Sequence, residues 1–408
     1  MSRPQLSPVV VTHALRTPIG RYLGTLADQT AADIGVAVVK ALLERAQLDP
    51  ARVGELVFGN ARQAGGGPNV ARQVSVRAGI PETTPAWTVN MACGSGLKAL
   101  ALAVESVRLG RAEVAIGGGT ESMSGLPFFL PNMRKGYRLG HAPVVDAMVQ
   151  DGFLCPLAKM LMGETAEKLA RELDIPRDEQ DRFALASQQK AAAAQAEGRF
   201  AAEIAPVKLR TKQGETLFAT DEHVRGDATL EGLARLPAVF DALPPKANGA
   251  PHGTVTAGNS SGITDGAAAL LVMGATKAEE LGLEPLAEVG ETVQVGLDPK
   301  VMGLGPVPAC KALREKNGLA LGDYDLVELN EAFAAQVLAC HRQMPLPMER
   351  LNVNGGAIAL GHPIGATGAR IVVTLLHELA RRGGKHGLAT LCISGGLGFA
   401  AAFHRSHN

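Results

Sequence analysis

The sequence has no motif that would bind a metal ion or a nucleotide phosphate. It contains neither a C-x-x-C pair nor an H-E-x-x-H segment, which argues against the common zinc sites. It also lacks G-x-x-x-x-G-K-[ST], and its glycine run at 115–121 does not have the spacing of a dinucleotide-binding turn. We therefore expect no metal ion and no resident cofactor.

Charge of one sign and long apolar runs are absent as well. Forty lysines and arginines balance forty aspartates and glutamates, so no basic excess indicates a nucleic-acid partner. The uncharged stretch 351–369 is broken by glycine and proline and could not span a bilayer. The N-terminus lacks a signal-peptide core, the C-terminus is no peroxisomal address, and the five scattered cysteines form no disulfide pattern. These absences favour a cytoplasmic protein that binds neither membrane nor nucleic acid.

The chain does contain a regular alternation of strand-like and helical segments. Residues 8–14 are typical of a strand, and residues 30–46 and 97–110 carry apolar side chains at helical spacing. Segments 94–121 and 366–398 both run from a glycine turn through a helix and a basic linker to a buried strand and a second glycine turn. This repeat predicts an α/β fold of five layers, αβαβα, built from two similar halves.

A long middle region interrupts this alternation. We predict an N-terminal half of residues 1–121 plus 254–276, an inserted loop domain of residues 122–253, and a C-terminal half of residues 277–408. The stretch DALPPKANGAPHG at 241–253 is a loop by composition.

One cysteine, Cys93, stands in the stretch NMACGSGL, directly before the start of a helix. The partial positive charge and free N–H groups of a helix N-terminus would lower the pKa of this thiol and favour the thiolate. Gly94 and Gly96 would permit a tight turn and the close approach of a substrate. Taken alone, the motif leaves two interpretations open, a nucleophile or a small buried residue.

Three other residues have comparable settings. His362 lies between a glycine and a proline and could polarise a carbonyl group or transfer a proton. Cys392 follows a buried run and precedes a glycine turn, so it is either a core residue or a second acid or base. Asn330 comes at a strand end before a helix expected to begin near Glu331, where it either caps that helix or holds a water molecule.

The remaining cysteines and histidines have no such setting. We assign Cys155, Cys310 and Cys340 to packing. His223 and His386, among others, are expected at the surface.

Considered together, the segments around these residues resemble the thiolase family over nearly the whole chain. The motifs follow in the family's order and include VVVTHALRTPIGR (9–21), GNARQAG (59–65), GGGTESMS (117–124), TVTAGNSSGITDGAA (254–268), NEAFAAQ (330–336), GGAIALGHPIGATGAR (355–370) and CISGGLG (392–398). The resemblance implies the five-layered fold and an acyltransferase that interconverts acetyl-CoA plus an acyl-CoA with 3-ketoacyl-CoA plus CoA.

The resemblance also implies a role for each candidate. Cys93 would form the acyl thioester after activation by His362, and Cys392 would take a proton from the methyl group of the second acetyl-CoA. A water held by Asn330 would bind, with His362, the thioester oxygen of the second substrate. The backbone N–H groups of Cys93 and Ser394 would form the other oxyanion hole.

Coenzyme A is a substrate in this scheme, and the resemblance implies contacts to it from Arg225, Ala257, Ser261, Met162, Ala332 and Phe333. The chain departs from the family pattern at three positions. Leu161 stands where a histidine is usual, Gly232 where a serine is usual, and Ser394 where a glycine is usual. The first departure affects the pantetheine tunnel and therefore the acyl preference.

The motif at 352–370 is more similar to the biosynthetic, short-chain thiolases, which favours an acetyl-CoA acetyltransferase of fatty-acid or lipid metabolism. A degradative 3-ketoacyl-CoA thiolase of broader chain length is the alternative. A non-catalytic acyl-CoA- or lipid-binding protein would not need two thiols and a histidine, and a decarboxylating condensing enzyme would favour a second histidine over a second cysteine. The loop at 131–148 has the length of a tetramer-forming loop, so we expect a homodimer or homotetramer.

Overall fold

The computed structural model describes residues 8–211, 214–240 and 253–405. The predicted loop at 241–253 therefore lies outside the described residues, except for Gly253. The strands are β1 (Val9–Arg16), β2 (Gly20–Arg21), β3 (Glu55–Gly59), β4 (Ala86–Val89), β5 (Val114–Glu121), β6 (Phe128–Phe129), β7 (Val145–Asp146), β8 (Leu154–Cys155), β9 (Met160–Leu161), β10 (Val207–Thr211), β11 (Gly214–Phe218), β12 (Thr264–Gly274), β13 (Ala287–Gly296), β14 (Leu326–Leu329), β15 (His386–Ile393) and β16 (Leu397–His404).

The α-helices are α1 (Ala31–Ala46), α2 (Val70–Arg77), α3 (Ser95–Arg108), α4 (Met162–Glu172), α5 (Arg177–Ala196), α6 (Leu230–Ala234), α7 (Ala275–Glu280), α8 (Pro306–Asn317), α9 (Ala334–Gln343), α10 (Ala357–Leu360) and α11 (Ile364–Arg382). Short 3-10 helices span Pro50–Arg52, Pro299–Leu304 and Leu321–Asp323, and a π-helical turn spans Val149–Phe153. None of the described helices is long and apolar enough to cross a membrane.

Ten strands form one large sheet, in the order β14–β15–β16–β13–β1–β12–β5–β3–β4, with β2 paired to β12. In the N-terminal half, β1 is antiparallel to β12, β12 is antiparallel to β5, and β5 is parallel to β3. The C-terminal half repeats the same pattern in β13, β16, β15 and β14. The predicted α/β fold of two similar halves is confirmed by this repetition.

The two halves of the sheet join edge to edge through β1 and β13. The joining ladder pairs only Val10 with Glu288 and Val11 with Ala287. At these residues each strand covers the edge of the other, so this stretch cannot pair with another chain.

The two halves of the sheet form two separate layers, and helices between them and on their outer faces complete the five layers. Helices α3 and α11 lie against each other in the centre, where α11 contacts strands of both halves and α3 contacts strands of the N-terminal half. Helices α1 and α2 pack on the outer face of the N-terminal half, and α8 packs on that of the C-terminal half. The central layer shares its apolar core with strands from both halves. The site residues that directly precede these central helices are therefore positioned by a core that both halves share.

Local sequence signals explain where the helices begin. Helix α1 starts at Ala31 because the Thr30 hydroxyl accepts a hydrogen bond from the Asp33 N–H while the Asp33 carboxylate accepts one from the Thr30 N–H. Ile34 and Val38, four residues apart, are fully buried on its inner face.

The two central helices touch through their backbones near their N-termini. A Cβ atom at Gly96 of α3 would lie 2.8 Å from the Ala369 nitrogen, and one at Gly368 of α11 would lie 2.4 Å from the Leu97 nitrogen. Both distances are too short for any side chain, so glycine is required at each position. This contact brings the N-terminal ends of the two helices together.

The middle region carries small ladders rather than strands of the large sheet. These ladders pair β6 with β7, β8 with β9, and β10 with β11. Helix α5 of this region packs against α6, α9 and α10. The boundaries assigned above to the three domains stay a prediction.

Candidate active site

A cavity of about 840 Å³ is lined by residues of both halves and of the middle region. Cys93, His362, Cys392 and Ser394 all line it. So do the six residues expected to contact coenzyme A, which are Arg225, Ala257, Ser261, Met162, Ala332 and Phe333. The structure thus brings together residues that are up to about three hundred positions apart in the chain.

Cys93 is held in a strained turn just before α3. Ala92 has a φ of 45°, in the left-handed region that residues other than glycine rarely adopt. The Ser95 hydroxyl stabilises this turn, since it accepts a hydrogen bond from the Met91 N–H at 2.8 Å and donates one to the Ala92 carbonyl at 2.7 Å. The turn presents the half-buried thiol of Cys93 to the cavity.

His362 lies beside this thiol, with Nε2 at 3.3 Å from Cys93 Sγ. Its Nδ1 is 2.6 Å from the Thr367 hydroxyl oxygen, and that hydroxyl donates to the Pro363 carbonyl at 3.0 Å. A hydroxyl has one proton to donate, so Thr367 must accept its bond to the imidazole from Nδ1–H. The lone pair of Nε2 therefore faces the thiol of Cys93.

The electrostatics of the site keep this pair neutral. Burial, together with the smaller effect of the nearby cations of Arg370 and Arg62, lowers the pKa of His362 to about 3. Burial also raises the pKa of the Cys93 thiol, although Arg62 and the backbone N–H groups of Ser394 and Cys93 favour the thiolate. Our expectation of a lowered thiol pKa was wrong, because desolvation outweighs the helix N-terminus.

Cys392 sits near the end of β15 and is only 1% exposed. Burial raises the pKa of its thiol well above the ordinary value, and the neighbouring Cys93 and Cys340 thiols raise it further. Cys392 is therefore protonated in the free protein. Once deprotonated, a thiol of such high pKa is a strong base.

Asn330 does not cap a helix. Helix α9 begins at Ala334, and Phe333 is its N-cap. The Asn330 N–H donates to the Thr390 carbonyl, and its side chain is 1% exposed. In the described part of the chain, neither atom of its amide has a hydrogen-bond partner, and Asn330 is not among the residues that line the cavity.

The later start of α9 has a physical reason. The segment before it pairs with a distant loop, as the Ser261 N–H donates to the Ala332 carbonyl and the Ala334 N–H donates to the Asn259 carbonyl. The buried Glu331 carboxylate accepts a hydrogen bond from the Ser187 hydroxyl. These long-range bonds hold residues 331–333 outside the helix and delay its start.

The three departures from the family pattern have different surroundings. Ser394 lines the cavity, and the left-handed positions of its turn are Gly395 and Gly396, with φ of 90° and 84°, so serine meets no backbone restriction. Leu161 also lines the cavity, where its side chain is half-buried. Gly232 is exposed, and its N–H donates to the hydroxyl of Thr229, the N-cap of α6.

Sequence reasoning missed several residues of the cavity. His223, which we expected at the surface, is half-buried and lines the cavity, with Nδ1 at 3.0 Å from the Ala359 carbonyl and a pKa lowered by burial. Arg62 and the supporting hydroxyl of Thr367 were also missed, although both lie in quoted motifs. The mouth and walls include Arg21, Tyr22, Met123, Phe153, Glu222 and Asp227. Within the described ranges, no three acidic, histidine or cysteine side chains cluster as metal ligands would.

The duplicated five-layered fold, with a thiol paired to a neutral imidazole and a second thiol in the same cavity, defines an acyltransferase of the covalent type. Comparisons with known proteins identify the family. A model of the thiolase N-terminal domain matches residues 9–276, and a model of the thiolase C-terminal domain matches residues 283–405. The chain belongs to the thiolase family.

Individual relatives are similar over nearly their full length. The acetyl-CoA acetyltransferase of Cupriavidus necator is 50% identical over 401 residues, covering 98% of this chain and 100% of that protein. The crystal structure of the Bacillus anthracis acetyl-CoA acetyltransferase superposes with a TM-score of 0.93 at 41% identity, covering 98% of this chain and 99% of that one. Human mitochondrial 3-ketoacyl-CoA thiolase in complex with CoA superposes with a TM-score of 0.92, also at 41% identity and with the same coverage.

Proposed function

We propose that the chain is an acetyl-CoA acetyltransferase, which joins two molecules of acetyl-CoA to acetoacetyl-CoA plus CoA and catalyses the reverse thiolysis. The observation that carries the proposal is the 3.3 Å contact between His362 Nε2 and Cys93 Sγ, with the tautomer fixed by Thr367. Relatives that share about half of the sequence and bear this name support the choice of substrate.

In the first half-reaction, Cys93 Sγ attacks the thioester carbonyl of acetyl-CoA and its proton passes to His362 Nε2. The backbone N–H groups of Cys93 and Ser394 stabilise the oxyanion. The C–S bond to CoA then breaks, and the departing CoA thiolate takes the proton of Cys392. The products are acetyl-Cys93, imidazolium and the thiolate of Cys392, so charge is conserved.

In the second half-reaction, the Cys392 thiolate removes a methyl proton from a second acetyl-CoA. The resulting enolate carbon attacks the acetyl group on Cys93, and the tetrahedral intermediate expels the Cys93 thiolate, which recovers its proton from His362. The buried, unpartnered amide of Asn330 suits a water that would bind the enolate oxygen together with His362. The raised pKa of Cys392 serves this step, because a carbon acid needs a strong base.

We further propose that the chain forms dimers or tetramers and works in the cytoplasm, in fatty-acid or lipid metabolism. The assembly rests on the exposed apolar residues of 128–139, where Phe128 is 64% and Leu139 is 100% exposed in the single chain. Light scattering on the purified protein measures the assembly directly. A monomer mass at all concentrations would contradict it.

Intact-mass analysis after incubation with acetyl-CoA tests the chemistry. We expect one added acetyl group in the wild type and none in Cys93→Ala, while Cys155→Ala, which removes a buried thiol outside the cavity, should still be acetylated. Acetylation that persists in Cys93→Ala would place the nucleophile elsewhere. A thiolysis series of 3-ketoacyl-CoA substrates from four carbons upward then separates the acetyltransferase from a thiolase of broader chain length.

A further inference from the structure

The side chain of Ser394 places a hydroxyl group without a partner next to the two thiols of the site. Ser394 directly follows β15, two residues after Cys392, and it is half-buried and lines the cavity. Among the described residues, its hydroxyl makes no hydrogen bond, and its oxygen is not one of the buried polar atoms that lack a partner. The hydroxyl is therefore both free and accessible, and the space beside Ser394 is the cavity.

The turn that carries Ser394 is held rigidly from two sides. On one side, the Leu297 N–H donates to the Gly396 carbonyl at 2.8 Å, and a Cβ at Gly396 would lie 2.3 Å from the Leu297 carbonyl oxygen. On the other side, a Cβ at Gly94 would lie 2.5 Å from Cδ1 of Ile393. These close contacts fix the position of Ser394 relative to the turn that carries Cys93.

The backbone of Ser394 already faces the nucleophile. Its N–H donates a hydrogen bond to Cys93 Sγ, and the N–H of Cys93 itself donates to the same sulfur, and both bonds favour the thiolate. The carbonyl carbon of an acyl group on Cys93 is bonded directly to this sulfur. The carbonyl oxygen of that group therefore lies beside the two N–H groups, which is where the negative charge develops.

Elementary stereochemistry brings the hydroxyl of Ser394 to the same place. In two of the three staggered χ1 rotamers of a serine, the hydroxyl oxygen is gauche to the backbone nitrogen of the same residue. An acceptor that binds the N–H can then also accept from the O–H. The glycine that is usual in the family at this position offers the N–H alone, so the hydroxyl is an additional donor in this chain.

We propose that Ser394 is a further catalytic residue, whose hydroxyl donates a hydrogen bond to the oxyanion that forms on the acyl group of Cys93. The inference rests on the proposed thiolase chemistry and deepens it. As Cys93 Sγ attacks the carbonyl carbon, the carbonyl oxygen gains a negative charge and accepts bonds from two N–H groups and one O–H. Ser394 keeps its proton throughout, and its bond strengthens as the charge grows, which lowers the barrier in both directions.

Two variants of Ser394 test the contribution of the hydroxyl. Ser394→Ala removes the hydroxyl and keeps Cβ, whereas Ser394→Gly removes both. Because the lost bond is to a charged oxygen, acetylation of Cys93 at saturating acetyl-CoA should slow by about 10- to 100-fold in each variant. The concentration of acetyl-CoA that gives half the maximal rate should change by less than about threefold, since the charge is absent before the attack. Rapid-quench intact-mass analysis measures both quantities.

Infrared spectroscopy tests the contact itself. Acetyl-CoA labelled with ¹³C at the carbonyl carbon would be incubated with Cys392→Ala, in which the acetyl group stays on Cys93 because condensation is blocked. A hydrogen bond weakens a C=O bond and lowers its stretching frequency. The labelled carbonyl band should therefore move to higher frequency when Ser394→Ala is added to Cys392→Ala.

A control variant and three outcomes complete the test. Ser106→Ala removes a buried hydroxyl of α3 outside the cavity and should leave the acetylation rate unchanged. The inference is overturned if Ser394→Ala is acetylated at the wild-type rate, or if its carbonyl band does not move. It is also overturned if Ser394→Gly recovers the wild-type rate while Ser394→Ala does not, because Cβ would then be responsible. Failure of the proposed function is distinct, since the wild type itself would then not be acetylated.

Discussion

The hydroxyl of Thr367 gives the sharpest test of how the nucleophile is activated. Valine at this position keeps the shape of the side chain but removes the acceptor for Nδ1–H of His362. A buried donor that loses its acceptor costs about 1–3 kcal/mol. The imidazole can then recover a hydrogen bond only by carrying its proton on Nε2, where it no longer accepts the proton of Cys93.

If this cost falls on the reactive tautomer, the barrier to acetylation rises by the same amount, and the rate in Thr367→Val drops by about 5- to 150-fold. Thr367→Ser keeps the hydroxyl and should stay within about threefold of the wild type, since the removed methyl group bears on neither hydrogen bond. Rapid-quench intact-mass analysis with saturating acetyl-CoA gives the rate of acetyl-Cys93 formation directly. Thermal unfolding of both variants separates an effect on the tautomer from a loss of folded protein.

Two results would refute this reasoning. In the first, Thr367→Val is acetylated at the wild-type rate, which would mean that the tautomer is fixed by other groups. In the second, Thr367→Ser is as impaired as Thr367→Val, which would make the methyl packing of Thr367, and not its hydroxyl, the important feature.

Three further predictions follow from the site and its turns. The rate of Cys93 acetylation should be nearly constant between about pH 5 and pH 8, because the thiol of Cys93 and the imidazole of His362 both stay neutral in this range. Alkylation of the same thiol by iodoacetamide should instead keep rising with pH past the ordinary thiol pKa of about 8.5. If acetylation and alkylation show the same pH profile, the result would argue for a thiolate–imidazolium pair. Cys392→Ala should still be acetylated on Cys93, although more slowly, whereas its rate of acetoacetyl-CoA synthesis should fall by about 10²–10⁴-fold. Condensation near the wild-type rate would show that Cys392 is only a packing residue. Gly361→Ala should lower the free energy of unfolding by about 1–3 kcal/mol in denaturant titrations, because the φ of Gly361 is 103° and a Cβ would clash with a neighbouring threonine. Gly274→Ala is the control and should leave the free energy of unfolding unchanged, because no atom lies within 4 Å of the added Cβ. Equal effects of the two substitutions would exclude local strain as the cause.

Features that depend on neighbours in the sequence could be predicted well. The start of α1 follows from Thr30 and Asp33, and the repeat of 94–121 in 366–398 predicted the matching pairs of helix α3 with strand β5 and helix α11 with strand β15. Both are visible in one sequence because capping and hydrophobic periodicity are local.

Features that depend on distant contacts could not be predicted in this way. The spacing before α9 suggested a helix beginning near Glu331, but hydrogen bonds to residues 259–261 keep that segment out of the helix until Ala334. The thiol of Cys93 presents the same problem in its electrostatics. The helix N-terminus is evident from the sequence, whereas the burial that raises the pKa comes from both halves of the fold.

The missed residues illustrate a third limit. His223 looked like a surface residue, yet it lines the cavity with its Nδ1 3.0 Å from the Ala359 carbonyl, 136 positions away in the chain. Arg62 stands in a quoted motif, but only the folded chain reveals that its side chain is buried and that its Nε has no hydrogen-bond partner among the described residues.

The backbone contact between the two central helices has a consequence for how this enzyme can change over time. At Gly96 and Gly368 the spacing of α3 and α11 is set by contacts of main-chain atoms. Substitutions elsewhere in the two helices exchange side chains and keep these main-chain atoms. The spacing of the two helices that follow Cys93 and His362 is therefore set by backbone atoms, whereas the wall of the cavity is made of side chains that can be exchanged one at a time. Such a division lets a lineage acquire new substrates without rebuilding its chemistry, and it makes the wall, rather than the helices, the part of the chain to engineer.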